Sequence, residues 1–160
     1  MKIMRDLLEK QLQNLYNSES LILNALPEML LYARDLRLLE IIKSFIKETY
    51  TQKVRLEKIG TYLNIKVDVE DGKIIRGLLE DINDLYAEFP KGILMDVGIV
   101  SKLQHVQHFQ ISAYETALLY TKDLNIEEVS VILEETLNEA YDADEDCSRY
   151  AKNLLLKRNE

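Results

Sequence analysis

Residues 8–29 read LEKQLQNLYNSESLILNALPEM, and the spacing of their apolar side chains indicates one long helix. The apolar residues recur at intervals of four and three, which places them on one face of an α-helix. They are Leu8, Leu12, Leu15, Ile22, Leu26 and Met29. Glu19 occupies the one place in this series where an apolar residue is missing. The pattern predicts a helix from about Arg5 to Tyr32 with a carboxylate at the middle of its apolar face, and Pro27 should kink this helix or loosen one turn.

The same periodicity predicts four further helices, which with the first make an all-α fold. They run from about Leu36 to Leu63, Ile74 to Glu88, Leu94 to Thr121 and Ile126 to Leu156. Residues 64–73 hold turn formers and mixed charge and are expected to form a surface connection. Short links between long helices force neighbours to run in opposite directions. We therefore expect a single domain, residues 1–160, folded as an antiparallel bundle of four long helices with one additional short helix.

The composition excludes several classes of protein. The chain has 28 acidic and 20 basic residues, a formal net charge of −8, and no basic run of the kind that binds nucleic acid. No apolar segment approaches the roughly 18 residues that cross a bilayer, and the charged N-terminus lacks the apolar centre of a signal peptide. The lone Cys147 cannot form an internal disulfide. These features predict a cytoplasmic protein that binds neither nucleic acid nor membrane.

Polar residues interrupt the apolar faces of the long helices at about the same height. The central positions are Glu19 on the first helix, Glu48 and Gln52 on the second, Gln110 with Gln107 beside it on the fourth, and Ala140 flanked by Glu139 on the fifth. A carboxylate inside a bundle is unfavourable unless it is neutralised or hydrogen-bonded. The interruptions therefore mark the candidate functional site.

A pair of metal ions is one way to hold such carboxylates. Di-iron and di-manganese bundles carry a Glu on each of two helices and a Glu-x-x-His motif on each of the other two. This chain has no Glu-x-x-His motif, and its two central carboxylates would leave about two positive charges unbalanced. A complete di-metal centre is therefore disfavoured. A remnant metal site would use Glu19, Glu48 and Glu139, with Gln52 and Gln110 nearby.

Two other interpretations of the central polar residues stay open. In one, hydrogen bonds from Gln52, Gln110, Tyr114 or Tyr16 hold Glu19 and Glu48, or these two carboxylates share a proton. In the other, the faces of the helices are assigned wrongly. No bound cofactor is expected under either, whereas iron or manganese would occupy a functional metal site.

The remaining candidate residues have simpler interpretations. His105 and His108 lie three apart on the fourth helix, a spacing that could chelate an ion, but helical rotation places both roughly opposite Gln110. We expect them at the surface or at a subunit contact. Cys147 lies on the apolar stripe of the fifth helix and is expected to be an inert buried thiol.

Five groups of residues, taken in order, resemble one known family. They are Asn14–Glu19 with Ala25–Pro27, Lys47–Thr49 with Gln52 and Arg55–Glu57, Gly77–Asp81, Val106–Tyr114, and Leu133 with Leu137–Glu139 and Ala143–Asp144. In their order and spacing the chain is similar to the YciE/YciF-like proteins, which are bacterial ferritin-fold proteins associated with stress responses. The resemblance implies a ferritin-like bundle, a homodimer, a loosely defined metal site and no established reaction.

The resemblance also implies where this chain departs from its relatives. Glu19, Glu48, Thr49, His108, Tyr114, Glu139 and Asp144 match the family pattern. Relatives carry His at the position of Phe45, and Glu at the positions of Gln107, Gln110 and Ala140. Our first hypothesis is thus a non-catalytic, dimeric structural or interaction module with a degenerate di-metal site. The alternative is an oxidoreductase or metal-storage protein that retains iron or manganese.

Overall fold

The computed structural model describes residues 1–67 and 72–159, and the regular secondary structure in these ranges is entirely helical. The helices are α1 (Met4–Tyr32), α2 (Leu36–Leu63), α3 (Lys73–Glu88), α4 (Ile93–Asp123) and α5 (Glu127–Asn159). The all-α prediction is confirmed, and each predicted helix end lies within three residues of the observed one. The surface connection predicted at 64–73 falls partly on residues 68–71, which lie outside the described residues, and Lys73 begins α3.

Local interactions explain where the first two helices begin and end. The Ile3 backbone N–H donates to the Asp6 carboxylate at 2.8 Å, which satisfies one free donor at the start of α1. The Asp35 carboxylate accepts from backbone N–H groups in the first turn of α2, and Asn64 ends that helix in the left-handed conformation. Helix α1 continues without interruption through Pro27, which is exposed.

Hydrogen bonds between distant parts of the chain define the arrangement of the long helices. They join Arg5 to Leu63, Gln11 to Ala113, Arg55 to Glu139 and Gln104 to Asp144. Helices α1 and α5 therefore each lie between α2 and α4 and run antiparallel to both. Helices α2 and α4 lie diagonally opposite each other and run parallel, and α3 packs on α4 and α1.

Two apolar clusters fill the bundle, one towards each end. One contains Leu26, Leu38, Ile42, Met95 and Leu103, and the other contains Leu12, Leu56, Ile59, Ala117 and Leu133. The predicted polar interruptions lie at the boundary between the two clusters, where each long helix passes from one to the other. None of the helices in the described ranges combines the length and apolar character needed to cross a membrane.

Candidate functional site

A polar layer at the middle of the bundle surrounds a small cavity. The cavity has a volume of about 10 Å³, which is room for roughly one water molecule. Its walls are Glu19 from α1, Phe45, Glu48, Thr49 and Gln52 from α2, Gln107, Gln110 and Tyr114 from α4, and Ala140 from α5. The sequence prediction that these polar side chains face one another is confirmed for Glu19, Gln52, Gln107 and Gln110, all of which are buried.

Glu19 is the centre of this layer and is held by two donors from α4. Its side chain is 1% exposed. The Gln110 Nε2 donates to Glu19 Oε1 at 2.6 Å, and the Tyr114 hydroxyl donates to Oε2 at 2.9 Å. Two of the four donors proposed from the sequence are therefore correct. The Tyr16 hydroxyl, in contrast, donates to Glu57 at 3.1 Å, so assigning it to the centre was wrong.

Burial raises the pKa of the Glu19 carboxyl from 4.5 to about 8, and the hydrogen bonds from Tyr114 and Gln110 lower it by a smaller amount. Glu19 is therefore largely neutral at pH 7. A neutral carboxyl has a proton to donate and needs an acceptor nearby. The polar layer must supply that acceptor from its own side chains.

The glutamines of α4 offer such acceptors. The Oε1 atoms of Gln107 and Gln110 are buried without a hydrogen-bond donor among the described residues. A half-turn of the last side-chain bond exchanges the oxygen and nitrogen of the Gln110 amide, which lets a neutral Glu19 donate to Gln110 Oε1. A neutral glutamine at position 110 is thus compatible with a neutral Glu19, whereas a second carboxylate there would repel the ionised form of Glu19.

Glu48 lines the central cavity but is less deeply placed than its predicted central position implies. It is half-buried, and Thr49 is the residue of α2 that points into the core, where its hydroxyl donates to the Phe45 carbonyl at 2.7 Å. Glu48 also lines a second cavity of about 170 Å³ with Asp142 and Asp146 of α5. Burial raises the pKa of the Glu48 carboxyl, and the charges of Glu139, Asp146 and Asp142 raise it further.

Glu139 is engaged by a cation that the sequence reasoning missed. The Arg55 guanidinium donates to both Glu139 oxygens, at 2.6 and 2.9 Å, and also to the Thr136 hydroxyl at 3.2 Å. A two-point pair of this kind is among the stronger charge-assisted contacts. Arg55 appeared within the family segment Arg55–Glu57, but its partner lies 84 residues away, and no local signal joins the two.

The donor set therefore fits a di-metal centre poorly. Glu19 is largely neutral at pH 7 and has both oxygens engaged by Gln110 and Tyr114. Glu139 is paired with Arg55, and the enclosed space is close to the size of one water molecule. Within residues 1–67 and 72–159, no group of three or more His, Cys, Asp or Glu side chains is arranged to hold a metal ion.

The other candidates lie where the sequence placed them. His105 and His108 are exposed, and His108 Nε2 lies 2.9 Å from Asp144 Oδ1. Cys147 is buried, and burial followed by the charges of Asp144 and Asp146 raises the pKa of its thiol to about 12, so it stays protonated.

Replacing Tyr114 tests the hydrogen bonds at the centre. We expect Tyr114→Phe to lower the free energy of unfolding by about 1–3 kcal/mol, because it leaves Glu19 Oε2 without its donor. The loss should be larger at pH 9 than at pH 6, since this hydrogen bond favours the ionised carboxyl. Chemical denaturation at both pH values measures the effect, with Tyr50→Phe at an exposed position as the control. Equal stability of variant and parent at both pH values would contradict the assignment.

Together, the fold and this site define a class of protein, an all-α helical bundle whose polar centre is closed by hydrogen bonds between helices. The particular family follows from a family model that matches residues 3–160 and is described as a domain of unknown function, DUF892. The chain belongs to this family, which confirms the resemblance seen in the sequence.

Individual relatives agree with this assignment over almost their whole length. The chain is 24% identical to the protein YciF of Escherichia coli K12, over 100% of this chain and 97% of that protein. The crystal structure of the E. coli stress protein YciF matches with a TM-score of 0.93 at 23% identity, covering 98% of this chain and 99% of the other. YcfI, a protein from Rhodopseudomonas palustris proposed to be structural, matches with a TM-score of 0.88 at 28% identity. The match covers 92% of this chain and 94% of the other.

Proposed function

We propose that this protein is a non-catalytic structural or interaction module of the bacterial stress response, and that its di-metal site is degenerate. The association with stress and the structural role come from the descriptions of YciF and YcfI, and the degenerate site comes from the geometry of the polar layer. The module is expected to act as a homodimer in the cytoplasm, without binding nucleic acid.

The observation that carries this proposal is the closure of the bundle centre by Glu19, Gln110 and Tyr114. A catalytic di-metal site needs ionised ligands with free lone pairs and open coordination positions for substrate. Here both oxygens of the buried Glu19 carboxyl are engaged in hydrogen bonds, with Gln110 and with Tyr114. The polar layer therefore joins α1 to α4 by buried hydrogen bonds.

The alternative is an iron- or manganese-binding protein, either an oxidoreductase or a metal store. Its support comes from the carbonyl oxygens of Gln107 and Gln110, which lack donors in the described structure and face the cavity together with the carboxyls of Glu19 and Glu48. Oxygen ligands of this kind suit Mn²⁺ and Fe²⁺. Recruiting Glu139 as well would require breaking its pair with Arg55.

Metal content separates the two functions. We expect protein purified from cells grown with added iron and manganese to contain close to zero of either metal per chain, and its melting temperature to be unchanged by a chelator. Elemental analysis by mass spectrometry measures the metal content per chain. Gln107→Ala, which removes one oxygen from the cavity, serves as the matched control. A content near two ions per chain, lost on chelation, would establish the alternative.

The dimer is tested separately. Sedimentation equilibrium of the full chain at micromolar concentration is expected to give twice the 18.7 kDa chain mass. A single-chain mass across the concentration range would remove the dimer from the proposal and leave the degenerate site untouched.

A further inference from the structure

The α2–α5 seam, where residues 37–55 of α2 face residues 135–150 of α5, is the least extensively packed contact between neighbouring long helices. Ile41 and Phe45 of α2 line a cavity in this seam and are each 8% exposed, whereas Leu38 of the same helix is fully buried. Opposite them, α5 presents only the small side chains of Ala143 and Cys147 as apolar surface. Separating α2 from α5 therefore exposes less apolar surface than separating any other neighbouring pair.

The cavity in the seam is the one of about 170 Å³ that Glu48 lines. It shares the side chains of Phe45 and Glu48 with the central cavity, so these two residues are all that separates the cavities along α2. At the end of the seam near the start of α2, the Tyr150 hydroxyl donates to the Asp35 carboxylate at 3.1 Å. A separation of α2 from α5 beyond this hydrogen bond would join the polar layer to solvent.

Arg55 holds the seam closed beside the central cavity. Its guanidinium donates to both oxygens of Glu139, to the Thr136 hydroxyl at 3.2 Å and to Glu135 at 3.4 Å. These three partners lie within about one turn of α5. The Arg55 side chain is 19% exposed, so solvent screens its ion pairs less than it screens a pair on the open surface. One side chain of α2 thus supplies most of the polar contact to α5 at this height.

We propose that the α2–α5 seam opens while the rest of the bundle stays folded, and that the contacts of Arg55 determine how often it opens. In the open state, water and small solutes reach the cavity in the seam and, past Phe45 and Glu48, the central cavity. In the closed state the pair between Arg55 and Glu139 excludes them. The inference concerns the metal-free chain and does not depend on the function proposed above, so the two can fail separately.

Alkylation of Cys147 by iodoacetamide measures the opening. The thiol lines the cavity in the seam, is 1% exposed, and has its pKa raised to about 12 by burial, so it is protonated and unreactive while the seam is closed. We expect slow alkylation of the full-length, chelator-treated protein at a rate that does not change at low urea concentrations. Urea acts in proportion to the surface that is exposed, so such a rate indicates a local opening.

Variants of Arg55 test its role. Arg55→Met keeps the aliphatic part of the side chain and removes the guanidinium, so it should raise the alkylation rate about tenfold or more. Arg55→Lys retains a single charged contact and should react at an intermediate rate. Lys58→Met, which removes a cation from an exposed position of the same helix, is the control and should react as the parent does. Mass spectrometry of the intact chain measures the extent of alkylation.

Two results would overturn the proposal. Equal alkylation rates in Arg55→Met and in the parent would show that Arg55 does not hold the seam closed. Rates that rise with urea as steeply as global unfolding does, in the parent and in the Arg55 variants alike, would show that Cys147 is reached only by unfolding of the whole chain. The urea dependence also distinguishes faster opening of the seam from a general loss of stability in Arg55→Met.

Discussion

Glu19→Gln is expected to prevent most of the loss of stability that this protein undergoes as the pH rises from about 5 to about 8. The pKa of the Glu19 carboxyl is raised from 4.5 to about 8 in the folded state, so between these values the folded chain holds a proton that the unfolded chain has released. Unfolding then releases a proton, and the free energy of unfolding falls with pH. The integrated loss is on the order of 5 kcal/mol and is complete above pH 8.

A glutamine keeps the shape of the neutral carboxyl and has no charged form, so the variant should match the parent near pH 5 and exceed it near pH 9. Urea denaturation from pH 5 to pH 9 measures the difference. Glu48→Gln is the matched control and should show a smaller change in the same direction, because Glu48 is half-buried. If Glu19→Gln is less stable than the parent at pH 9, the ionised carboxylate is being held by a cation, and the neutral centre is wrong.

The double variant Gln107→Glu/Gln110→Glu is expected to be about 3–5 kcal/mol less stable than the parent at pH 8 in the absence of metal. The substitutions are nearly isosteric and raise the carboxyls lining the central cavity from two, Glu19 and Glu48, to four. Four carboxyls match the charge of two divalent ions, so Mn²⁺ should raise the melting temperature of the variant and leave that of the parent unchanged. Thermal denaturation with and without Mn²⁺ gives both quantities.

The control for this experiment adds the same charge outside the bundle. Asn138→Asp/Asn153→Asp places two carboxylates at exposed positions of α5 and should change the stability by less than about 1 kcal/mol, with no response to Mn²⁺. A parent protein that Mn²⁺ stabilises as strongly as it does the double variant would show that the existing oxygens already suffice for a metal site.

The sequence predicted the helices and the height of the polar layer well, because both depend on local periodicity. A 3.6-residue repeat carried over 25 or more residues fixes a helix and its buried face, and Glu19, Gln107 and Gln110 were placed correctly for that reason. On α2 the same reasoning chose Glu48 where Thr49 is buried. Successive residues of an α-helix are rotated by about 100° about its axis. Because apolar residues lie on both sides of this position, the sequence pattern did not decide which of the two residues faces the core.

What the sequence could not predict are the contacts between helices. Arg55 and Glu139 meet across α2 and α5, and buried Asp96 accepts hydrogen bonds from the backbone N–H groups of Arg34 and Asp35 at the turn between α1 and α2. Each contact joins residues at least 61 positions apart, so neither leaves a local pattern. The pair with Arg55 weakens the assignment of Glu139 to a remnant metal site, and no local pattern in the sequence indicates this pair.

The protonation state of Glu19 in the metal-free protein is the most direct test of this account. Selective ¹³C labelling of glutamate, with the carboxyl signal followed by NMR from pH 4 to pH 10, measures that pKa. We predict a midpoint close to 8, with the Glu19 carboxyl neutral at pH 7. A midpoint at or below the ordinary 4.5 would show an ionised carboxylate at the bundle centre, ready to bind a cation, and would contradict the central claim.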